Sequence, residues 1–296
     1  MNVIECEKLT KKRRQLTALQ DLSFSIEENT ITGLIGRNGA GKTTLLKILA
    51  GFWRPSSGKV EVFKEDPFQN LFISANAIYV DDQMRYSSRL TLSEILTEAE
   101  RFYENWDAEL ANRLFDYFSF HPRQAHHHLS KGKMSTFNMI IGLASRCALT
   151  MFDEPTTGMD AGVRKDFYRA LLKDYIANPR TIIISSHHLE EIEDLLEDVL
   201  LLDEGKKYFH LPMDELKEYA VGISGRTEVV MQWMANKEVI HNEQVGNNAT
   251  YAIVKNDYFS IDQAKQLGME VSPVSASDLC VHLTSRSKGG IESVFK

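Results

Sequence analysis

Two kinds of apolar run alternate along the chain, and the kind decides the element. Residues 1 to 30 interleave polar and apolar positions (NVIECEKL, LQDLSFSIEE), the period of two that predicts antiparallel, half-buried strands. ITGLI at 31–35 is apolar without interruption, as a buried strand is, and it ends in GRNGAGKTT before the helical pattern TLLKILAGF. After the turn signal RPSSG, KVEVF at 59–63 and AIYV at 77–80 predict two more strands. Over 91–120 the period becomes helical. TLSEILTEAERFYENW and DAELANRLFDYFSF carry Leu, Phe and Tyr on one face, predicting a helical subdomain (about 84–147) inserted between strands. A helix follows LSKGK, and the buried strand ALTMF then runs into DEPTTGMD. A helix over 161–177, the strand TIIIS, a helix over 188–196 and the strand VLLLD complete the alternation. That order predicts an α/β fold, a mostly parallel sheet with helices on both faces. Near residue 224 the alternation stops. Weaker strands and the short helices SIDQAKQLG and SDLCVHL predict a small α+β accessory domain over 224–296, after a main domain over 1–223.

Composition narrows this picture. The 296 residues are 43% hydrophobic and 25% charged, the balance of a globular protein. No apolar run approaches the ~18 residues that span a bilayer. MNVIECEKLTKKRR lacks the apolar core of a secretory leader. Cys6, Cys147 and Cys280 are far apart and form no CxxC pair, as expected of reduced thiols in a cytoplasmic protein. The net charge of −7 argues against nucleic acid as a partner.

The chemistry begins at GRNGAGKT, Gly36 to Thr43, which fits G-x-x-x-x-G-K-[ST] with a strand before it and a helix after it. Such a loop turns backbone N–H groups around phosphate oxygens, and the helix beginning near Lys42 adds its dipole. Lys42 can neutralise β/γ-phosphate charge and the Thr43 hydroxyl can ligate Mg²⁺. Downstream, Asp153 and Glu154 end a buried strand, where an open α/β sheet presents its reactive groups. Asp153 is placed to hold Mg²⁺ and Glu154 to orient a water toward the γ-phosphate. After the next apolar strand, His187 in SSHH can reach the same phosphate; His188 is expected to point elsewhere.

GRNGAGKTT, LSKGK, FDEPTTGMD and SSH, in this order, resemble the ATP-binding subunit of an ABC transporter over residues 1 to about 223. The resemblance implies a P-loop ATPase with an antiparallel β subdomain and an inserted helical subdomain. Gly36, Arg37, Asn38, Gly39, Ala40, Gly41, Lys42, Thr43 and Thr44 would bind the ATP phosphates. Asp153 would support Mg²⁺, Glu154 would be the catalytic carboxylate and His187 the switch histidine. Ser130 and Gly132 would touch the γ-phosphate held by a second subunit, and Thr157 to Asp160 would carry signals between subunits, with Asp160 near the nucleotide. Two ATP molecules would lie within a head-to-tail dimer.

Three departures from the family pattern stand out. The usual signature LSGGQ is LSKGK here, with Lys131 and Lys133 expected to add positive charge beside the anion. The aromatic residue that stacks on adenine is replaced by Arg13, whose guanidinium plane can also stack. The Mg²⁺-ligating glutamine of the segment facing the membrane subunit aligns with Asp82, with Gln83 next. The length, LSKGK and LPMDELKEYA resemble exporter ATPases of the Ytr/Pmt type from Gram-positive bacteria.

The reading is therefore an ATPase that dimerises on ATP, as a homodimer or with a paralogue. It would power a separate transmembrane permease from the inner face of the membrane. Its rivals are a soluble ABC-type ATPase acting on ribosomes or DNA, and a nucleotide-gated scaffold with little hydrolysis. His126, His127 and His128 are expected in a solvated loop, since three successive side chains cannot converge on one metal. Phe102, Tyr103, Phe115, Tyr117 and Phe118 are expected to pack the helical subdomain, some lining a partner groove.

Overall fold

The structure is a computed structural model that describes residues 1–14 and 16–285. Its elements run β1 (Asn2–Arg13), β2 (Leu16–Glu27), β3 (Ile31–Ile35), α1 (Lys42–Leu49), β4 (Ser57–Val62), α2 (Leu71–Asn76) and β5 (Ala77–Val80). The helices α3 (Leu92–Phe102), α4 (Ala108–Tyr117) and α5 (Lys131–Ala144) follow. Then come β6 (Leu149–Asp153), α6 (Ala161–Ala177), β7 (Thr181–Ser186), β8 (Asp198–Asp203) and β9 (Lys206–Pro212). The chain ends with α7 (Met213–Lys217), β10 (Ala220–Arg226), α8 (Thr227–Met234), β11 (Val239–Val245), β12 (Ala249–Lys255), α9 (Tyr258–Gln266), β13 (Glu270–Pro273) and α10 (Ala276–Leu283).

Among the described residues the strands form three sheets. The six-stranded sheet has the order β5-β6-β7-β3-β8-β9, with β5, β6, β7, β3 and β8 parallel. Its strands β3, β6 and β7 are buried at every position, which is why they read as continuous apolar runs rather than alternations. The order β6-β7-β3 brings the ends of three strands side by side, with Asp153 opposite Ser185 and Ile35 opposite Ser186. The antiparallel sheet β2-β1-β4 keeps the period of two, its inner positions Ile4, Cys6, Leu9, Leu22, Phe24 and Ile26 joining the core above α1.

Between β5 and β6 the helices form as their caps and periodicity direct. Thr91 and Glu94 make a reciprocal capping box on α3, and Asp107 caps α4 by accepting from the Leu110 N–H at 2.8 Å. Each such cap stabilises its helix by about 1 kcal/mol. Helix α5 begins inside LSKGK rather than after it, and is buried on all sides from Ser135 to Ala144. Among the expected packing aromatics, Phe115 and Phe118 are buried, while Phe102 and Tyr117 are exposed.

Three expectations change. Residues 188–196 form two short 3₁₀ turns, Leu189–Glu191 and Glu193–Leu195, instead of a helix. The buried Leu189 and Ile192 are three apart, the spacing that a 3₁₀ turn stacks on one side. The triple histidine is not simply a solvated loop. His126 is buried with its Nε2 2.9 Å from Asn138 Oδ1, and burial lowers its pKa; His127 and His128 are exposed. The chain also divides into compact units at 210/211, ahead of the 223/224 boundary that the loss of alternation suggested. The reason is β10, which straddles the 223/224 boundary and is an interior strand of the second unit's sheet.

That second unit is a four-stranded antiparallel sheet of order β11-β12-β10-β13. With α8 and α9 it has the β-α-β-β-α-β order of a split βαβ unit. Ile223, Val230, Trp233, Ala252, Val254 and Met269 form its own core.

Candidate functional site

The loop between β3 and α1 is clamped before any ligand is considered. The Gly205 N–H donates to Ala40 O at 3.0 Å, and the Gln20 N–H donates to Gly205 O at 2.7 Å. Gly41 sits at φ +106°, and a Cβ there would meet Leu19 Cδ2 at 2.6 Å and Ala18 O at 2.7 Å, so only glycine fits. Gly41 caps α1 with no side chain, and the first turn holds no acidic residue. The N–H groups at that end therefore lack the usual side-chain partner and suit an anion. Arg37, Asn38, Gly39 and Thr43 are exposed around it, while Ala40 is buried and Thr44 half-buried.

Lys42 is buried, yet a backbone carbonyl and a carboxylate hold its charge. Its Nζ donates to Gly36 O at 2.6 Å and lies 3.1 Å from Glu154 Oε1. Glu154 follows β6 with φ +48°, a left-handed conformation that costs a non-glycine residue about 1 kcal/mol or more. That turn, together with the Glu154 N–H donating to Ser185 Oγ at 2.9 Å, swings the carboxylate across the strand ends. Its second oxygen, Oε2, lies 2.9 Å from His187 Nδ1. One carboxylate thus joins the residues that follow β3, β6 and β7. His188 does not simply point away: its ring lies 3.9 Å from that of His187, while its Nδ1 is 3.4 Å from Glu190.

Asp153 is buried beneath this group. It accepts from Tyr79 OH at 2.8 Å and from Ser185 Oγ at 2.6 Å. Burial first, and then the carboxylates of Asp153 and Asp81, push the Tyr79 phenol far up, so it remains a donor. Among the described residues two hydroxyl groups hold Asp153, a donor set under which its carboxylate keeps a negative charge that would suit a hard metal ion. Tyr79 and Ser185 were missed in the sequence. Tyr79 was hidden in an unremarkable strand and Ser185 in a motif read only for its histidine.

The LSKGK segment is placed at the start of α5. The Ser130 hydroxyl caps the helix, accepting from the Lys133 N–H at 3.3 Å. Gly132 is pressed against the TTGMD loop, where a Cβ would lie 2.3 Å from Gly158 O. Ser135 Oγ donates to Thr157 O at 3.0 Å from the same helix, and Asp160 caps α6 by accepting from the Val163 N–H at 2.9 Å. The two lysines do not share one role, contrary to the expectation that both add charge beside an anion. Lys133 turns back to donate to Phe118 O and lies over the Phe120 ring. Lys131 Nζ lies 3.2 Å from Asp82 Oδ2. Asp82 Oδ1 accepts from Gln83 Nε2 at 3.3 Å, so both residues weighed as metal ligands sit together.

Arg13 is placed with its guanidinium 4.2 Å from the centre of the Trp53 ring, so its stacking face already has an indole. Beyond Trp53 a groove of about 520 Å³ opens, lined by Phe52, Tyr79, Gln83, Met84, Phe102 and Tyr103 among others. A neighbouring hollow of about 400 Å³ shares Met84, Phe102 and Tyr103.

Comparison with known proteins bears on what this geometry serves. The sequence profile of the family described as ABC transporter matches residues 19–157. The ABC transporter ATP-binding protein YtrB of Bacillus subtilis (strain 168) is 28% identical over 282 residues, 95% of each chain. The bacitracin transport ATP-binding protein BcrA of Bacillus licheniformis is 30% identical over 237 residues, 73% of this chain and 72% of that protein. Among solved structures, an ATP binding subunit of an ABC transporter matches with a TM-score of 0.65 at 22% identity, covering 73% of this chain and 92% of that one. The dimeric post-hydrolysis state of the cassette MJ0796 bound to ADP and Pi matches with a TM-score of 0.62 at 17% identity, covering 71% and 98%.

Proposed function

Because the chain belongs to the family of ABC transporter ATP-binding subunits, and so is an ATPase of a transport system, we propose that it drives export by a separate membrane permease. It does so by closing head to tail on a second ATPase subunit, a copy of itself or a paralogue, around two ATP molecules. The observation that carries this reading is the Glu154 carboxylate held between Lys42 at 3.1 Å and His187 at 2.9 Å.

In this arrangement Lys42 and Glu154 neutralise each other while no phosphate is near. The phosphates of ATP enter the cradle from Gly36 to Thr44 and draw the Lys42 ammonium to themselves. Glu154 is then left with His187. The carboxylate accepts a proton from a water whose oxygen attacks the γ-phosphorus, and the bond to the ADP oxygen breaks. His187 orients the carboxylate and the water. Thr43, Asp153 and Asp82 are the residues that hold Mg²⁺, which supplies neutralisation of the phosphate charge when bound. The buried Asp153, held among the described residues by the Tyr79 and Ser185 hydroxyls, fits that ion. Ser130, Gly132 and Asp160 meet the ATP held by the opposite subunit, while Arg13 stacks on the adenine of the ATP in its own subunit's cradle by leaving or extending the Trp53 contact.

The partner permease is proposed to dock a cytoplasmic helix in the groove lined by Phe52, Met84 and Phe102. Exposed aromatic residues there suit an apolar anchor. The chain is then peripheral on the inner face of the membrane. No helix among the described residues is long and apolar enough to cross it.

The test is Glu154→Gln, which keeps shape and removes the base. Phosphate release is expected to fall by about 100-fold or more, with nucleotide binding retained and the ATP-bound dimer accumulating. Hydrolysis at the original rate would remove Glu154 from this role.

A further inference from the structure

Two of the places where this chain departs from its family's pattern touch each other. Lys131 stands where the signature has glycine, and Asp82 where a glutamine is expected; their side chains meet at 3.2 Å. The stem of Lys131 runs past Gly158, where a Cβ would lie 3.2 Å from Lys131 Cγ. One lysine therefore joins the start of α5, the TTGMD loop and the 81–89 segment. A second tie, the Asn138 amide donating to Asp81 O at 3.1 Å, links α5 to the same segment without charge. The ion pair can thus open while the segments stay together.

We propose that Lys131 and Asp82 form a charge latch coupling cation binding at one nucleotide site to phosphate binding at the other. This rests on the proposed function above. The Asp82 carboxylate has a single charge to offer. Paired with Lys131, it is a poor partner for a divalent cation. Turned toward a cation, it releases the Lys131 ammonium at the first turn of α5, where the helix dipole already favours an anion. The linkage is reciprocal: an anion that engages Lys131 frees Asp82 for the cation. Lys131 is a positioning residue in this scheme. A neutral pair, glycine and glutamine, has no such exchange.

The experiment uses the full chain with Lys131→Met, Asp82→Gln and the two combined, each first checked by thermal melting. Mg²⁺ is titrated in the presence of a fluorescent ATP analogue, and the readout is binding rather than turnover. The pair is partly exposed, so its influence on an equilibrium is at most about fivefold. Lys131→Met is expected to tighten apparent Mg²⁺ binding about two- to fivefold when Asp82 is present, and to change nothing when Asp82→Gln is also present. Lys131→Arg, which keeps the charge, is expected to retain the original Mg²⁺ dependence. Equal effects of Lys131→Met with and without Asp82→Gln, no effect in either, or an Arg variant that behaves like Met overturns the latch. If the unaltered chain shows no Mg²⁺-dependent nucleotide binding, the functional reading itself fails, and the latch with it.

Discussion

Gly132→Ala is the most direct probe of how the start of α5 is seated. The added methyl carbon would lie 2.3 Å from the Gly158 carbonyl oxygen and 3.5 Å from Met159 Cα. Ordinary carbon–oxygen contacts are about 3.3–3.6 Å. The helix start and the loop must therefore part by about 1 Å, and both are backbone, so no side chain can rotate away. Overpacking of this kind costs about 1–3 kcal/mol. That is small against the ~5–15 kcal/mol that holds a typical domain, so the variant stays folded. Its effect on activity is larger, because a 1 Å displacement of positioning groups can slow a reaction about 100-fold. Expected, then, is a modest drop in the urea midpoint of the main unit, with steady-state ATPase activity down about 100-fold and nucleotide binding to the P-loop retained. Hydrolysis within twofold of the unaltered chain, with an unchanged midpoint, would refute the close seating of Gly132 on Gly158.

Two further predictions concern the frame around the site. Asp174 is buried on α6 between Arg146 at 3.1 Å and Arg180 at 2.8 Å; the Arg180 contact is a charge contact rather than an aligned hydrogen bond. Asp174→Ala leaves the buried Arg180 guanidinium without a carboxylate, while Arg146 keeps Asp107 at 2.5 Å, and is expected to destabilise the main unit by about 3 kcal/mol, read by chemical denaturation; a change of about 1 kcal/mol or less, as for an exposed pair, would refute it. Burial pushes the thiol of Cys6 up to about 12, that of Cys147 up to about 11 and that of Cys280 up to about 12. Unfolded thiols ionise from 9.0, so above that pH the folded chain holds more protons. Their contribution to stability is intact below pH 9 and is lost as pH rises toward about 12. An alkylating reagent at about pH 8 is expected to spare all three in the native chain and to label all three in urea; equal rates in both would refute their burial.

How far the sequence reaches depends on the distance over which each signal acts. ITGLI, TIIIS and the 161–177 helix are set by runs of neighbouring residues, and the structure places them where the pattern does. α2, capped by Asn70, is too short to show a period, and α8 was lost among weaker signals of the second unit. The 188–196 segment failed for another reason. Its apolar spacing is equally compatible with a helix and with 3₁₀ turns, and packing of Leu189 and Ile192 settled it.

The candidate site divides in the same way. The residue types at Gly36–Thr44, Asp153, Glu154 and His187 point to phosphate chemistry in sequence, because phosphate-binding loops and strand-end carboxylates are local arrangements. What the carboxylate of Glu154 touches is decided by strand order, which sets β6 and β3 on either side of β7. Tyr79 and Ser185 matter only because that order brings them to Asp153. The lysines of LSKGK look equivalent as letters. They are separated by direction: two positions apart on a helix, side chains point about 200° apart, so Lys131 meets Asp82 while Lys133 meets Phe118. The sequence by itself determined which chemistry the chain carries and most of the elements that carry it. Only the tertiary structure decided which charges face one another, because those contacts depend on strand order and helix direction rather than on neighbouring residues.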